Sequence, residues 1–349
     1  MKKRILTIIL AATMVASLAG CSGKLSNDKI TIKKYKGLEV EVTKLEVADT
    51  DVENSIISTM DAMELGKVKE IKDRGAQNGD DIVMDFTGKI DGKAFEGGSA
   101  EDVEHTLGKG GYIDGFEEGI VGHKAGETFD INVTFPASYP NNPDLAGKPA
   151  VFTIKLKKVS VTEYPELTDK IATKLAGADT TADAYREKTR EDLKVSNEQT
   201  MEAMLQQAVW EALIKECVVD AYVETDLEAK QKEIEQRYST TASMYGMDTS
   251  AFVEAYYGVS VESMAKDLLK QDYAVELISK KEKLEVTDKD YQEGLKKYAE
   301  ESAYDSSDEE KLKEFEEMIG KDNLKKILQQ EKVTDLLIEN CKKTEKAAK

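Results

Sequence analysis

The chain is poor in the side chains that most enzyme chemistry needs. Its 349 residues hold two histidines, three cysteines, one tryptophan and five prolines. Two histidines, His105 and His123, with no CxxC pair and no Cys/His cluster, argue against a structural zinc site and leave no metal or cofactor implied. A basic excess is missing as well. Asp and Glu outnumber Lys and Arg by 68 to 49, and a net charge of −19 repels a phosphate backbone, so no nucleic-acid partner is expected. No apolar run is long enough to span a bilayer: Ile5 to Ala16 is the longest, and a spanning helix needs about 20 residues. Four prolines (Pro136, Pro140, Pro143 and Pro149) sit in one region, and only Pro165 follows, so the second half is free to form uninterrupted helices. The two-lobed α/β repeat of a solute-binding lipoprotein is also missing.

The N-terminus reads as an address. Lys2, Lys3 and Arg4 precede the apolar stretch, and Leu18-Ala19-Gly20-Cys21 resembles the bacterial lipobox. The resemblance implies that residues 1–20 are a lipoprotein signal peptide, removed so that a diacylglyceryl-modified Cys21 becomes the N-terminus. The expected location is extracytoplasmic, with the lipid on Cys21 anchoring the protein to the cell membrane. Each buried lipid CH₂ contributes about 0.8 kcal/mol to that attachment. Residues 21–34, polar from Ser22 to Asp28, read as a tether. Cys217 continues an apolar stripe with Trp210, Leu213 and Ile214, and Cys341 one with Leu337 and Ile338. Both read as unpaired residues on helix faces, with a disulfide between them as the alternative.

Residues 35–78 read as a linker strand and helix. Tyr35 to Val42 alternates as a strand does. Thr50 and Glu53 have capping-box spacing, and Val52, Ile56, Met60 and Met63 then share one face, which predicts a helix over 50–65. Lys67 to Gln77 is a polar return.

Residues 79–160 form a distinct block. Eight glycines fall between Gly92 and Gly119, among short alternating segments bounded by turn residues, which predicts a mostly antiparallel sheet. Ile113 to Val121 is the exception. Asp114 can cap a short helix there, and Gly119 and Gly122 stop it. Laid against a curved sheet, that helix lets Phe86, Phe95, Tyr112, Ile113, Phe116, Tyr139 and Phe152 converge on one cleft. His105 reads as a strand residue and His123 as a surface turn residue, neither with a catalytic part.

The order of short motifs in this block carries a resemblance. Asp85-Phe86-Thr87-Gly88, Phe95-Glu96-Gly97-Gly98, Leu107-Gly108-Lys109-Gly110, Ile113 through Ile120, Gly122 through Glu127 and Phe135-Pro136 follow one another without large gaps. Together they resemble the FKBP-type peptidyl-prolyl isomerase domain found in trigger factors. The resemblance implies cis/trans isomerisation of X-Pro bonds. It makes Phe86 and Phe116 wall and floor of a proline pocket, with Phe95 and Phe152 as further walls. It places Tyr112 and Ile113 at the cleft edge, where the Ile113 N–H can meet a substrate carbonyl, and Tyr139 as a hydroxyl donor. Glu96 stands where many members carry an aspartate, Phe116 where many carry a tryptophan, and Val103 where an aromatic is common. A degenerate, non-catalytic binding module is therefore the alternative.

The remainder, residues 161–349, reads as an all-α domain. Helices are predicted over 167–176, 181–217, 224–245, 249–257, 261–282, 287–303, 308–319 and 322–345. Thr181, Thr287 and Asp322 are candidate starts, and Gly177, Gly246, Gly258 and Gly320 candidate stops. Thr240 to Met247, with Phe252, Tyr256 and Tyr257, forms a Met/aromatic patch suited either to helix packing or to varied partners. Order and length make this half similar to the C-terminal chaperone domain of trigger factors, which implies unfolded or proline-containing polypeptides as clients. Only the stretch between Cys21 and Tyr35 stands where that family has a ribosome-binding domain, so no ribosome docking is expected. The fold class is α+β.

Overall fold

The structure is a computed structural model and describes residues 24–139 and 142–347. Cys21, with the whole leader-like segment, and Pro140 lie outside the described residues. The described chain opens with β1 (Leu25–Ser26), β2 (Ile30–Ile32), β3 (Glu39–Lys44) and α1 (Asp49–Ala62). Five strands follow: β4 (Lys67–Glu70), β5 (Asp81–Ile90), β6 (Lys93–Thr106), β7 (Thr128–Thr134) and β8 (Pro149–Glu163). Next come α2 (Asp169–Ala176), α3 (Ala182–Lys215), β9 (Cys217–Val219), α4 (Glu224–Met244), α5 (Thr249–Tyr257) and α6 (Val261–Glu282). The last elements are α7 (Asp288–Glu301), α8 (Glu309–Ile319), α9 (Lys321–Glu339) and β10 (Lys342–Ala347). This is the α+β class the patterning predicts. The chain divides into two units, one of Val47–Val195 and one joining the segment before Val47 to the segment after Val195.

In the first unit the strands form one antiparallel sheet in the order β4-β8-β5-β6, with β7 also paired to β8. Alternation decides which side chains face inward. Ile82 and Met84 on β5, Ile131 and Val133 on β7, and Phe152, Ile154 and Leu156 on β8 are all buried in one core. Two bulges flank Asp85. Met84 pairs with Val103 but Phe86 with Ala100, so β6 carries an extra residue; Val83 pairs with Lys158 but Met84 with Leu156, so β8 does too. The Asp85 carboxylate accepts from the Asp102 N–H at 2.9 Å and from Lys157 Nζ at 2.7 Å, pinning both bulges. Bulges bend a strand, here where Phe86 turns toward the cleft. A satellite core joins Val52, Ile56 and Met60 of α1 to Leu167 and to Ala172 of α2.

The return into β5 is held by charge. Arg74 donates to both oxygens of the buried Asp80, at 2.5 and 2.8 Å, and the Gln77 N–H adds a third bond at 2.9 Å. The Arg74 guanidinium holds the Asp80 carboxyl below its usual range. A folded value below the unfolded one gives a contribution that is whole above the unfolded value of about 3.9 and is lost as pH falls through the folded value. Urea unfolding of this unit should therefore shift to lower urea as pH drops from about 5 toward 3, and less so in Asp80→Asn. Equal pH slopes in the two proteins would contradict the assignment.

The second unit is helical but not purely so. Ile30 and Ile32 have no exposed surface, and β2 pairs with β9, Ile30 opposite Val219 and Ile32 opposite Cys217. Lys29 adds an ion pair to Asp226 at 3.1 Å. The stretch expected as a tether over 21–34 is thus, from β1 onward, part of this core, packed with Val209, Leu213, Leu269, Ile278 and Leu337. β3, expected in a linker, pairs in parallel with β10, which occupies the end of the helix expected over 322–345. That helix stops at Glu339. The helix expected over 181–217 stops at Lys215 and gives Cys217 to β9; Cys217 and Cys341 are both free. A second small core gathers Tyr291, Leu295, Phe315, Leu324 and Leu328 from α7, α8 and α9.

Most helix ends follow their caps. Thr287 caps α7 in a reciprocal bond with Asp290, and the Thr181 hydroxyl accepts from the Ala184 N–H at the start of α3. Gly177 and Gly258 end α2 and α5 in the left-handed conformation that glycine adopts without strain. α1 begins one residue before Thr50, because the Asp51 carboxylate reaches back to the Ala48 N–H at 2.8 Å. It ends at Ala62, short of the expected 65. Ile113 to Val121 forms no regular helix. It is a run of turns closed by Phe116 N–H to Ile113 O, Gly119 N–H to Gly115 O and Val121 N–H to Glu117 O.

Candidate prolyl-binding cleft

The sheet unit opens on one side into a cleft of about 610 Å³. All eight residues singled out in the sequence block line it: Phe86, Phe95, Glu96, Tyr112, Ile113, Phe116, Tyr139 and Phe152. Phe86 comes from β5, Phe95 and Glu96 from β6, Phe152 from β8, and Tyr112, Ile113 and Phe116 from the turn segment. Tyr139 reaches in from the loop after β7.

Aromatic geometry gives the cleft its shape. Phe116, 2% exposed, lies at the base. Tyr112 stacks on it at 4.4 Å and 6°, while Phe86 and Phe152 meet it edge-on at 5.8 and 5.2 Å. Phe152 continues to Phe95 at 5.9 Å, Phe95 to Phe135 at 5.8 Å, and Phe135 to Tyr139 at 5.1 Å. Edge-on and stacked pairs of this kind contribute about 0.5–1.5 kcal/mol each beyond burial. Two glycines make the packing possible. A Cβ on Gly88 would lie 2.5 Å from the Phe152 ring, and one on Gly98 2.7 Å from Phe95.

The polar groups are few. Glu96 is exposed on the rim. Burial, with the Glu117 carboxylate adding to it, pushes the Tyr112 phenol up, so its hydroxyl stays protonated and able to donate near neutral pH. Among the described residues nothing in the backbone accepts from the Ile113 N–H. Among the described residues, too, no group of His, Cys, Asp and Glu is placed to hold a metal ion. The arrangement can bind an apolar ring and donate to a carbonyl. It holds no paired nucleophile and base.

Sequence reasoning missed several lining residues. Phe135, Leu145, Asn142 and Asp114 also face the cleft. Phe135 follows Ile131 and Val133 in the two-residue period of β7, a signal that could have found it. Val103 is half-buried against the core rather than in the cleft. His105 was expected to be an unremarkable strand residue, and it does lie on β6. Its side chain, however, is only 14% exposed and meets Glu117. His123 stacks on Phe129 at 3.5 Å and bonds Glu127 at 2.7 Å, away from the cleft lining.

The Met/aromatic patch of the helical unit splits in two. Phe252 and Ala242 are buried, whereas Met244, Tyr245, Met247, Tyr256 and Tyr257 are exposed, Met244 to 82%. Tyr245 and Tyr256 stack on Phe252 at 5.8 and 5.4 Å, which fixes an apolar surface facing solvent.

Residues 72–157 match the family of FKBP-type peptidyl-prolyl cis-trans isomerases, and every one of the eight cleft residues falls within that span. The trigger factor of Bacillus licheniformis is 34% identical over 330 residues, covering 89% of this chain and 74% of that one. The Bacillus subtilis trigger factor is 34% identical over 328 residues, covering 89% and 74%. That of Agathobacter rectalis is 32% identical over 331 residues, covering 92% and 72%. The aligned span, about nine-tenths of the chain, reaches well beyond the isomerase segment, and the chain belongs to the trigger factor family.

Proposed function

We propose that the cleft isomerises X-Pro peptide bonds in unfolded client chains and that the helical unit holds those clients. The convergence of Phe86, Phe95, Tyr112, Phe116 and Phe152 on one open cleft carries the reading. The barrier to rotation about a peptide bond is about 18–20 kcal/mol and comes from amide resonance. Nothing covalent has to break, so no acid–base or nucleophilic residues are needed. An aromatic cleft excludes the water that favours the planar, dipolar amide and grips the proline ring while the amide twists. An acceleration of 10³–10⁶ asks for about 4–8 kcal/mol of preference for the twisted form. The Ile113 N–H, and the Tyr112 and Tyr139 hydroxyls, supply donors for the substrate carbonyls.

Exchange spectroscopy on a proline-containing tetrapeptide tests this. The full chain should raise the cis/trans exchange rate in proportion to its concentration, and an unchanged rate would defeat the reading. Client holding without catalysis is the second reading, and exposed Met244, Tyr245, Met247, Tyr256 and Tyr257 favour a holding role in either case. Flexible methionines adapt to varied apolar partners.

We further propose that the protein is exported and anchored through lipid on Cys21, on the support of the basic, apolar and Leu18-Ala19-Gly20-Cys21 pattern. Its clients are then secreted chains. A role away from the ribosome is part of this proposal, and its support is that Leu25–Ser26 and Ile30–Ile32 are strands paired within the helical unit. Labelled palmitate should enter the wild type and not Cys21→Ala; equal labelling of the two would contradict the anchor.

A further inference from the structure

The segment that carries Tyr112, Ile113 and Phe116 is reached through a run of glycines. It leaves β6 through Gly108, Gly110 and Gly111, all at positive φ, which leaves the backbone free to place Tyr112 in many ways. Glu117 closes this loop. Its Oε2 accepts from the Gly108 N–H at 2.6 Å, tying the far end of the glycine run to its start. Its Oε1 lies 3.0 Å from His105 Nε2 on β6.

Both of those facing atoms are fully buried, and neither has a well-aligned hydrogen-bond partner. A carboxylate oxygen offers only lone pairs, so the nitrogen opposite it has to carry the hydrogen. The two atoms are within hydrogen-bond distance of each other yet unpaired. The imidazole also meets Tyr112 edge-on at 4.9 Å and 85°, and Tyr112 stacks on Phe116. His105 thus contacts the ring that stacks on the cleft floor.

We propose that His105, acting through Glu117 and Tyr112, is a positioning residue for prolyl isomerisation. It sets the Tyr112 ring and the Ile113 N–H, and pressure of a substrate proline on that ring aligns the His105–Glu117 bond as the amide twists. The proposal rests on the reading of the cleft as a prolyl isomerase.

The test uses the full chain, with kcat and KM taken from proline-limited refolding at several client concentrations. His105→Leu keeps bulk and removes the donor. It should lower kcat about tenfold with KM within about twofold, the size of loss that a displaced contact group produces. His105→Gln places an amide N–H near the position of Nε2 and should restore most of the loss. His105→Leu added to Glu117→Gln should cost little beyond Glu117→Gln alone, as expected for two members of one contact. An unchanged kcat in His105→Leu overturns the proposal, as does a loss confined to KM and thermal stability that His105→Gln does not repair. A wild type with no acceleration defeats the reading of the cleft instead, and a nitrogen-15 spectrum then decides the pairing. The chain has two histidines, and His123→Gln identifies the signal of His105. An Nε2–H protected from exchange, and losing protection in Glu117→Gln, supports the pair; rapid exchange in the wild type overturns it.

Discussion

Replacing Phe116 by alanine is expected to abolish the proposed isomerase activity, and to do so partly by unfolding the sheet unit. The ring is 2% exposed and packs against Tyr112, Phe86 and Phe152. Truncating a buried Phe costs about 3–5 kcal/mol, a large share of the stability of a domain, which is about 5–15 kcal/mol. Loss of activity in Phe116→Ala therefore says little about catalysis. Phe116 belongs to the floor and the core at once. Phe86 separates the two roles better, because its ring is only partly buried on the cleft wall. Phe86→Leu keeps most of the apolar volume and loses three edge-on ring contacts, to Tyr112, Phe116 and Phe152. Urea unfolding should show a smaller shift for Phe86→Leu than the shift of about 3 kcal/mol or more, the cost of a buried Phe, expected for Phe116→Ala. Equal shifts would mean that the two rings do not divide as core and wall.

The second large effect is expected far from the cleft in sequence, at Ile30 and Ile32. Both are fully buried in the core of the helical unit on a three-residue strand. Each Ile→Ala change costs about 2–5 kcal/mol, and the pair, sharing one core, need not add. The double variant should unfold the helical unit at much lower urea. Trp210 is the chain's one tryptophan, and its indole N–H bonds Thr334 at 2.9 Å within this unit, so its fluorescence reports that transition alone. Activity on a short proline peptide should survive at urea concentrations where the Trp210 signal is already lost. An unmoved Trp210 transition would return residues 24–34 to the role of a spacer.

The sequence made the cleft legible because its residues are bound to local patterns. Phe86, Phe95 and Phe152 sit on alternating strands, and Gly88 and Gly98 fall in the same short motifs as Phe86 and Phe95. The helices of the second half were readable for the same reason: Thr287, Thr181, Gly177 and Gly258 mark ends that depend on neighbours within four residues. What escaped depends on partners far along the chain. Ile30-Thr31-Ile32 is too short to announce a strand, and its pairing with Cys217–Val219 lies almost two hundred positions away. Lys342–Ala347 reads as the end of a charged helix until β3 is there to pair with it. From sequence, His105 reads only as a strand residue without a catalytic part. Only the fold brings Glu117 to it, across the glycine loop.

The most direct measurement is proline-limited refolding of a test protein, followed against the concentration of the full chain, with wild type and Phe86→Leu compared at matched stability. If the aromatic cleft lowers the barrier to rotation, the slow phase quickens in proportion to wild-type concentration, and Phe86→Leu reduces that slope by about tenfold or more, equivalent to about 1.4 kcal/mol or more of lost preference for the twisted amide. A wild type that leaves the slow phase unchanged, or a Phe86→Leu slope equal to the wild-type one, would contradict catalysis by this cleft.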